Sequence, residues 1–235
     1  MTDGLLATLF GDPFAVMNTI GLVAFALVGS AKAIREEFDL FGIAVVGLAM
    51  AFAGGVTRDL LVNRVPLVLR SPIEIALGLL GVGLAIGLTV VLVSPDDHPV
   101  TVVADAIGLA AFATTGAIVS TEVGVSAVGV VAIATINAVG GGAFADILLD
   151  RSPFILFDDF YATPAVLGGC AYWLVGAGLG AGGVVGGGES LGVAGIAAAA
   201  CAAVTVTTRL VAVAYGWSLP SVQTLRRAAK RRRGE

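Results

Sequence analysis

Two clusters of glycine, each followed by an aspartate, are the residues whose types and spacing could do chemistry in this chain. The first is Gly54 and Gly55 with Arg58 and Asp59, and the second is Gly140, Gly141 and Gly142 with Asp146. Consecutive glycines weaken a helix and permit a kink or an unwound turn. The carbonyl oxygens freed by such a turn can replace part of the water around a cation, as they do in channel filters. A carboxylate nearby attracts the cation, so the pattern predicts a path for cations.

Each of these features also has a purely structural explanation. The glycines could serve only to let helices pack closely, as small residues commonly do in membranes. That explanation suits one cluster better than two clusters at equivalent positions. The aspartates could pair with a neighbouring arginine near the membrane interface. Because Arg58 precedes Asp59 whereas Ala145 precedes Asp146, we expect Asp146 to be the less compensated charge.

Lys32 and Arg58 are the candidates for gating or for tuning the charge of the path. Lys32 ends the first apolar stretch of the chain, where a lysine that extends to the membrane interface is the simpler explanation. Asn18 and Asp105 stand near the beginning of two apolar stretches. Polar residues at that place are more often helix caps than ligands, so we expect caps.

The composition of the chain indicates a membrane protein. Of its 235 residues, 57% are hydrophobic and only 13% are charged, whereas a soluble domain carries about a quarter of charged residues. The mean hydropathy is +0.99. These values exclude a water-soluble enzyme. A single histidine, His98, and two cysteines in apolar runs offer neither a metal site nor a nucleophile with its base, so we expect no enzyme and no cofactor.

Seven apolar stretches are long enough to cross the hydrocarbon layer, which takes about 20 residues. They are residues 14–34, 40–61, 72–94, 101–120, 124–148, 163–185 and 191–214. We therefore predict an all-α integral membrane protein with seven transmembrane helices.

An internal repeat relates residues 14–94 to residues 101–185. The segment NTIGLVAFALVG at 18–29 aligns without a gap with DAIGLAAFATTG at 105–116, an offset of 87 residues. The same offset matches the two aspartates and the two glycine clusters. Each repeat contains three spans, so the second must enter the membrane with inverted topology. Such repeats are typical of proteins that move solutes along the repeat interface.

The last two segments set the orientation of the chain. Residues 191–214, the seventh span, lie outside the repeat, and residues 215–235 form a basic tail with six of the 13 basic residues between Arg226 and Arg233. Basic residues collect on the cytoplasmic side. We expect a multi-pass protein of the cell membrane with its C-terminus in the cytoplasm and its N-terminus outside. Beside a last span, such a tail contacts anionic membrane lipids rather than nucleic acid.

Two motifs resemble the trimeric intracellular cation channel (TRIC) family, whose prokaryotic branch is also catalogued under a glycine transporter domain name. The first motif is GSAKA at residues 29–33 followed by Asp39, and the second is GGVTRDLL at residues 54–61 followed by Pro66. The resemblance covers residues 14–214. It implies seven helices, a homotrimer with one pore per subunit, and passage of potassium or sodium beside kinked second and fifth helices.

The second repeat departs from this family pattern, because Ala145 and Val119 stand at the positions that match Arg58 and Lys32. Two functions therefore stay open. The first is a passive channel for monovalent cations. The alternative is a secondary transporter of a small solute such as glycine, because the N-termini of broken helices can bind a carboxylate.

Overall fold

The structure, a computed structural model, describes residues 12–91, 99–156, 160–179 and 191–217. Within these ranges the chain forms seven α-helices and two short 3-10 turns, without a β-strand. The helices are α1 (Pro13–Arg35), α2 (Leu40–Leu61), α3 (Pro72–Val91), α4 (Pro99–Glu122), α5 (Ala127–Leu148), α6 (Ala162–Gly178) and α7 (Leu191–Tyr215); the turns, Leu67–Leu69 and Phe154–Leu156, follow α2 and α5. The predicted fold, two inverted three-helix repeats with a seventh helix, is confirmed. The basic residues 226–233 of the tail lie outside the described ranges.

Six of the seven helices, α1 to α5 and α7, have the length and hydropathy of membrane spans. The remaining helix, α6, has 17 residues, somewhat fewer than the number needed to cross the hydrocarbon layer. The predicted span 163–185 continues into residues that the structure does not describe. Large apolar side chains cover the outside of the bundle, and Phe41, Val90 and Val128 are about four-fifths exposed. Contact with lipid tails accounts for this surface.

Side chains before α2 and α5 fix where these two helices begin. Asp39 accepts a hydrogen bond from the backbone of Gly42, and Ser126 accepts one from Gly129. Each cap satisfies one of the amide groups that the first helical turn leaves without a partner. Because Asp39 and Ser126 match at the repeat offset, the two helices begin in register.

Asn18 and Asp105 are not helix caps, so the expectation from the sequence is wrong. α1 begins earlier, at Pro13, and its cap is Asp12, whose side chain accepts from the amide of Phe14. α4 likewise begins before Asp105. Both polar side chains therefore lie within their helices, where they face other helices.

The two repeats meet where Phe25 of α1 contacts Phe112 of α4. Their rings stack edge to face with centroids 5.0 Å apart. Gly21 and Gly108 leave room for them, because a Cβ on either glycine would collide with the ring from the other repeat. Each phenylalanine thus packs on its own counterpart, which locates the pseudo-two-fold axis of the inverted repeats at this pair.

The glycine clusters do not interrupt their helices. α2 is continuous through Gly54 and Gly55, and α5 is continuous through Gly140, Gly141 and Gly142. The predicted unwound turns are therefore wrong. A glycine weakens a helix by about 1 kcal/mol, whereas a carbonyl group freed in hydrocarbon loses several kcal/mol because no water can bind it. The second effect is larger, and the helices stay wound.

Gly54 and Gly141 instead allow α2 and α5 to cross closely. A Cβ on Gly54 would collide with the carbonyl oxygen of Asn137, and a Cβ on Gly141 would collide with that of Met50. Met50 and Asn137 match at the repeat offset, so the contact has the same two-fold character as the phenylalanine pair. Close packing, the structural alternative for these glycines, accounts for both positions.

Candidate functional site

The two aspartates hold the chain segments that follow α2 and α5. Oδ2 of Asp59 accepts a hydrogen bond from the backbone amide of Leu67, and Oδ2 of Asp146 accepts one from that of Phe154, both at 2.9 Å. These amides begin the two 3-10 turns. Both carboxylates are buried, with 5% and 3% of their residue surface exposed. Each repeat therefore contains the same anchor, with a charged group buried at its helix end.

The bend that returns the chain from each helix end to its aspartate is also the same in the two repeats. Asn63 and Asp150 adopt left-handed backbone conformations, with φ of 56° and 54°. Asparagine and aspartate tolerate this region better than other non-glycine residues. The next amides, of Arg64 and Arg151, then bond back to the carbonyl oxygens of the aspartates at 2.8 Å. The chain reverses after each helix and returns to its carboxylate.

Each aspartate has one cationic partner, but the two cations come from different places. Asp59 pairs with its neighbour Arg58, whose Nε and Nη2 both lie 2.8 Å from Oδ1. Asp146 pairs with Lys32 of α1, whose Nζ lies 2.7 Å from Oδ1. The expectation that Asp146 is the less compensated charge is therefore wrong. Lys32 supplies from the other repeat the cation that Ala145 does not provide.

An aromatic ring covers each of these two cations. Lys32 Nζ lies 5.1 Å from the centre of the Phe154 ring, and the Arg58 guanidinium carbon lies 5.4 Å from that of Phe14. At these distances the negative face of the ring attracts the cation.

A second pair of hydrogen bonds lies at equivalent places in the two repeats, but the donor and acceptor positions are exchanged. Nδ2 of Asn18 donates to Oε2 of Glu74 at 2.9 Å, and the hydroxyl of Tyr161 donates to Oδ1 of Asp105 at 2.9 Å. Asn18 matches Asp105 and Glu74 matches Tyr161 at the repeat offset. Each repeat therefore carries one more carboxylate beside its aspartate. Glu74 and Tyr161 are not among the residues predicted from the sequence, although an acidic residue inside an apolar span is a signal for the first.

Helix α7 contributes a further cation. Nη2 of Arg209 lies 3.7 Å from Oδ2 of Asp105, and Nη1 donates to the carbonyl oxygen of Phe160 at 3.4 Å. Its guanidinium carbon lies 4.6 Å from the centre of the Tyr161 ring. The seventh helix therefore takes part in the polar cluster and does more than place the C-terminus.

These groups form two separate clusters. The Asp59 end consists of Asn18, Arg58, Asp59, Leu67 and Glu74, and the Asp146 end consists of Lys32, Asp105, Asp146, Phe154, Tyr161 and Arg209. Of the predicted site residues, Arg58 and Asp59 lie at the first end and Lys32 and Asp146 at the second. The glycines of α2 and α5 lie on the helices between the two ends.

The two ends differ in how much space they enclose. The Asp146 end lines a cavity of about 570 Å³, together with Arg35 and Arg151 at its rim. The cavity at the Asp59 end, which Gly55 also lines, measures about 20 Å³, room for about one water molecule. Among the described residues, the Asp146 end is therefore open, and the Asp59 end is closed to anything larger than about one water molecule.

The comparisons with known proteins identify the family. A family model described as "Glycine transporter" matches residues 15–90 and again residues 102–177. A UPF0126 membrane protein of Deinococcus radiodurans is 35% identical over 179 residues, which cover 74% of this chain and 82% of that protein. The chain belongs to this TRIC/UPF0126 family. The UPF0126 membrane protein YvgT of Bacillus subtilis is 33% identical and matches 66% of this chain and 76% of its own length.

Solved structures of TRIC channels confirm the predicted resemblance. A TRIC cation channel solved to explain conductance has a TM-score of 0.73 and 32% identity, covering 88% of this chain and 96% of that chain. A prokaryotic TRIC channel crystallised in 0.5 M KCl has a TM-score of 0.74 and 27% identity, covering 88% and 98%. This TRIC-family chain is thus a membrane protein with several transmembrane helices.

The two segments matched by the TRIC family model contain all of the site residues predicted from the sequence. They also contain the residues that the structure adds to both ends, Asn18, Glu74, Asp105 and Tyr161. Arg209 of α7 lies outside both segments. The repeats therefore supply the paired carboxylates, and the additional helix supplies a further charge at one end.

Proposed function

We propose that this TRIC-family protein is a passive channel for monovalent cations such as potassium and sodium, with one path per subunit beside α2 and α5. The observation that carries the proposal is the buried carboxylates at the two ends of the inverted repeats, Asp59 and Asp146. Buried charges in a membrane are unfavourable and mark ion pathways more often than packing positions. Two of the similar solved structures are cation channels by name.

The path runs from the cavity at the Asp146 end toward the Asp59 end, along the crossing of α2 and α5. Because both helices stay wound, side chains rather than freed carbonyl oxygens attract the ion, which keeps more of its water. Gly54, Gly55, Gly140, Gly141 and Gly142 flank this path. Gly54 and Gly141 hold the two helices in contact, so the ion passes beside this contact and not between the two backbones.

Asn137 offers a further polar group between the two ends. It is fully buried, and its Nδ2 donates to Phe112 O and to Thr115 Oγ1. Its Oδ1 has no hydrogen-bond partner among the described residues. A buried acceptor without a partner is unfavourable and calls for an explanation. A passing cation or its water supplies that partner.

The channel works as a homotrimer in the cell membrane, with the N-terminus outside and the C-terminus in the cytoplasm. The orthologue from Rhodobacter sphaeroides, with a TM-score of 0.73 and 27% identity over 87% of this chain, is trimeric by name. The positive tail at 226–233 supports the orientation and contacts anionic lipids. Lys32 and Arg58 tune the charge of the path. In this proposal the protein conducts ions and is not an enzyme.

The second candidate is a secondary transporter of a small solute such as glycine. The difference between the two ends, about 570 Å³ against about 20 Å³, favours it. Alternating access needs one end open while the other is closed. The excess of cations around the open cavity also suits the carboxylate of an amino acid.

Purified protein in liposomes distinguishes the two functions. The channel predicts potassium efflux driven by its own gradient alone, without saturation by glycine. The transporter predicts saturable uptake of radiolabelled glycine and no potassium current. Glycine uptake without potassium flux, from liposomes of matched protein content, contradicts the channel.

A further inference from the structure

The Asp59 end contains a second buried carboxylate that the proposed path has not used. Glu74, in the first turn of α3, is only 7% exposed, and Arg58 is 2% exposed. Both residues line the cavity of about 20 Å³, together with Asn18 and Asp59. One guanidinium therefore faces a small space that two buried carboxylates share.

The charges at the two ends are balanced differently. At the Asp146 end, Lys32 pairs with Asp146 and Arg209 lies beside Asp105, so each carboxylate has its own cation. At the Asp59 end, Arg58 bonds to Asp59, while Glu74 accepts from the neutral amide of Asn18. A buried carboxylate is strongly stabilised by a cation.

The Arg58 side chain has an unused donor and lies beside a small cavity. Its Nη1 is buried and has no hydrogen-bond partner among the described residues. Its planar group has five N–H donors in a fixed fork, so it can bond to a second carboxylate as well as to Asp59. The cavity has room for about one water molecule, which the guanidinium displaces or which bridges it to the second carboxylate.

We propose that Glu74 is a gating residue, because it is the second acceptor for Arg58. The closed Asp59 end opens when the guanidinium moves from Asp59 to Glu74. Oδ1 of Asp59 then faces the path, while Oδ2 keeps its bond to the Leu67 amide and holds the turn. The inference deepens the proposed channel function and rests on it.

Single-channel recording of Glu74→Gln tests whether Arg58 exchanges Asp59 for Glu74 when the channel opens. Glutamine keeps an acceptor oxygen but removes the negative charge, so Arg58 stays on Asp59. Open probability then falls by about tenfold, the change expected when a hydrogen bond to a charged group becomes a weaker neutral one, while the current through an open channel is unchanged. The exposed acid Glu122, which pairs with Arg64, provides the matched control, and Glu122→Gln keeps its open probability. A fall in unitary current with normal open probability overturns the proposal, because it assigns Glu74 to attraction of ions.

The double variant Arg58→Gln/Glu74→Gln separates a gate from a folding defect. If Arg58 closes the path, its removal restores open probability to the wild-type value or above. A double variant that is correctly assembled but no more active than Glu74→Gln overturns the exchange.

A cysteine at Ala51 reports on the same end without any ion current. Ala51 is buried and lines the small cavity. In a background of Cys170→Ala and Cys201→Ala, Ala51→Cys reacts with a cationic water-soluble thiol reagent whenever the end opens. Glu74→Gln slows this reaction severalfold if Glu74 stabilises the open end, and an unchanged rate overturns the gate. Labelling does not depend on conduction, so the two proposals can fail separately. If the wild-type protein carries no current but labelling of Ala51→Cys still depends on Glu74, the channel function is overturned and the gate is not.

Discussion

Lys32, at the end of α1, forms an ion pair with Asp146 of α5, and the distance from Nζ to Oδ1 is 2.7 Å. The pair joins the first repeat to the second across 114 positions of the chain. It also breaks the symmetry of the repeats, because Arg58 serves the matching aspartate from the adjacent position. The aspartate of each cluster therefore follows the repeat, whereas its cationic partner does not.

A double-mutant cycle on this pair measures how strongly it ties the repeats together. Lys32→Met leaves Asp146 as an unpaired carboxylate beside the cavity. The expected loss is below the about 3–5 kcal/mol of a fully buried pair, because the pair is only partly buried, and the double variant with Asp146→Asn recovers part of it. We expect a coupling of about 0.5–3 kcal/mol in the free energy of unfolding in detergent.

The exposed pair between Arg151 and Glu36 is the control for that cycle. Arg151→Met removes a cation from the same rim, and we expect a change below about 1 kcal/mol because exposed pairs contribute little. Equal effects of Lys32→Met and Arg151→Met would mean that the buried pair has no special role in stability.

Neutralising Asp146 should weaken cation attraction in a salt-dependent way. Asp146→Asn keeps an acceptor for the Phe154 amide but leaves the positive charge of Lys32 uncompensated in the open cavity. We expect potassium conductance to fall severalfold at ~10 mM salt and less at ~100 mM, because the Debye length shortens from about 30 to about 10 Å. The same loss at both salt concentrations, in correctly assembled protein, would indicate a structural role.

Much of the fold follows from periodic features of the sequence. Apolar stretches of sufficient length predict the helices, and the constant offset predicts that Asp59 and Asp146 have equivalent places. The same offset relates Phe25 to Phe112 and Met50 to Asn137, the residues at the repeat interface. These features are local in the chain or repeated along it, so they can be detected in a single sequence.

The pairing of Asp59 with the adjacent Arg58 was one alternative from the sequence, but the ion pairs of Asp146 and Asp105 and the course of the helices were not predictable in the same way. The contact of Lys32 with Asp146 is a tertiary one that departs from the repeat, and nothing in the spacing points to it. Arg209 lies on a helix outside the repeat. The helices at Gly54 and Gly141 stay wound because the surrounding hydrocarbon offers no other partner to their backbone, a property of the environment rather than of the glycines.

Substitution of Gly141 should damage assembly, whereas substitution of Gly83 should not. A Cβ at Gly141 would collide with the carbonyl oxygen of Met50, but a Cβ at Gly83 meets nothing within 4 Å. We expect Gly141→Leu to lose at least about 1–3 kcal/mol of stability, as overpacking does, and to separate α2 from α5. Thermal unfolding and yield of folded protein measure the difference. Similar losses from both variants would rule out a specific helix contact.

Asn137→Met places at this position the residue that the first repeat has at Met50. The change removes the unpartnered Oδ1 together with two donated hydrogen bonds, so we expect lower potassium conductance and a modest loss of stability. Thr115→Val, which removes one of those hydrogen bonds but keeps the amide oxygen, is the control. If Asn137→Met conducts normally, the amide oxygen does not contact the ion.

A planar bilayer recording of the purified wild-type protein, with potassium on one side and sodium on the other, tests the channel directly. The proposed function predicts discrete single-channel currents that are carried by cations, that continue when the anion is replaced by a large impermeant one, and that need no coupled solute. An assembled protein that gives no such currents under any applied voltage, yet accumulates glycine in liposomes, would contradict it.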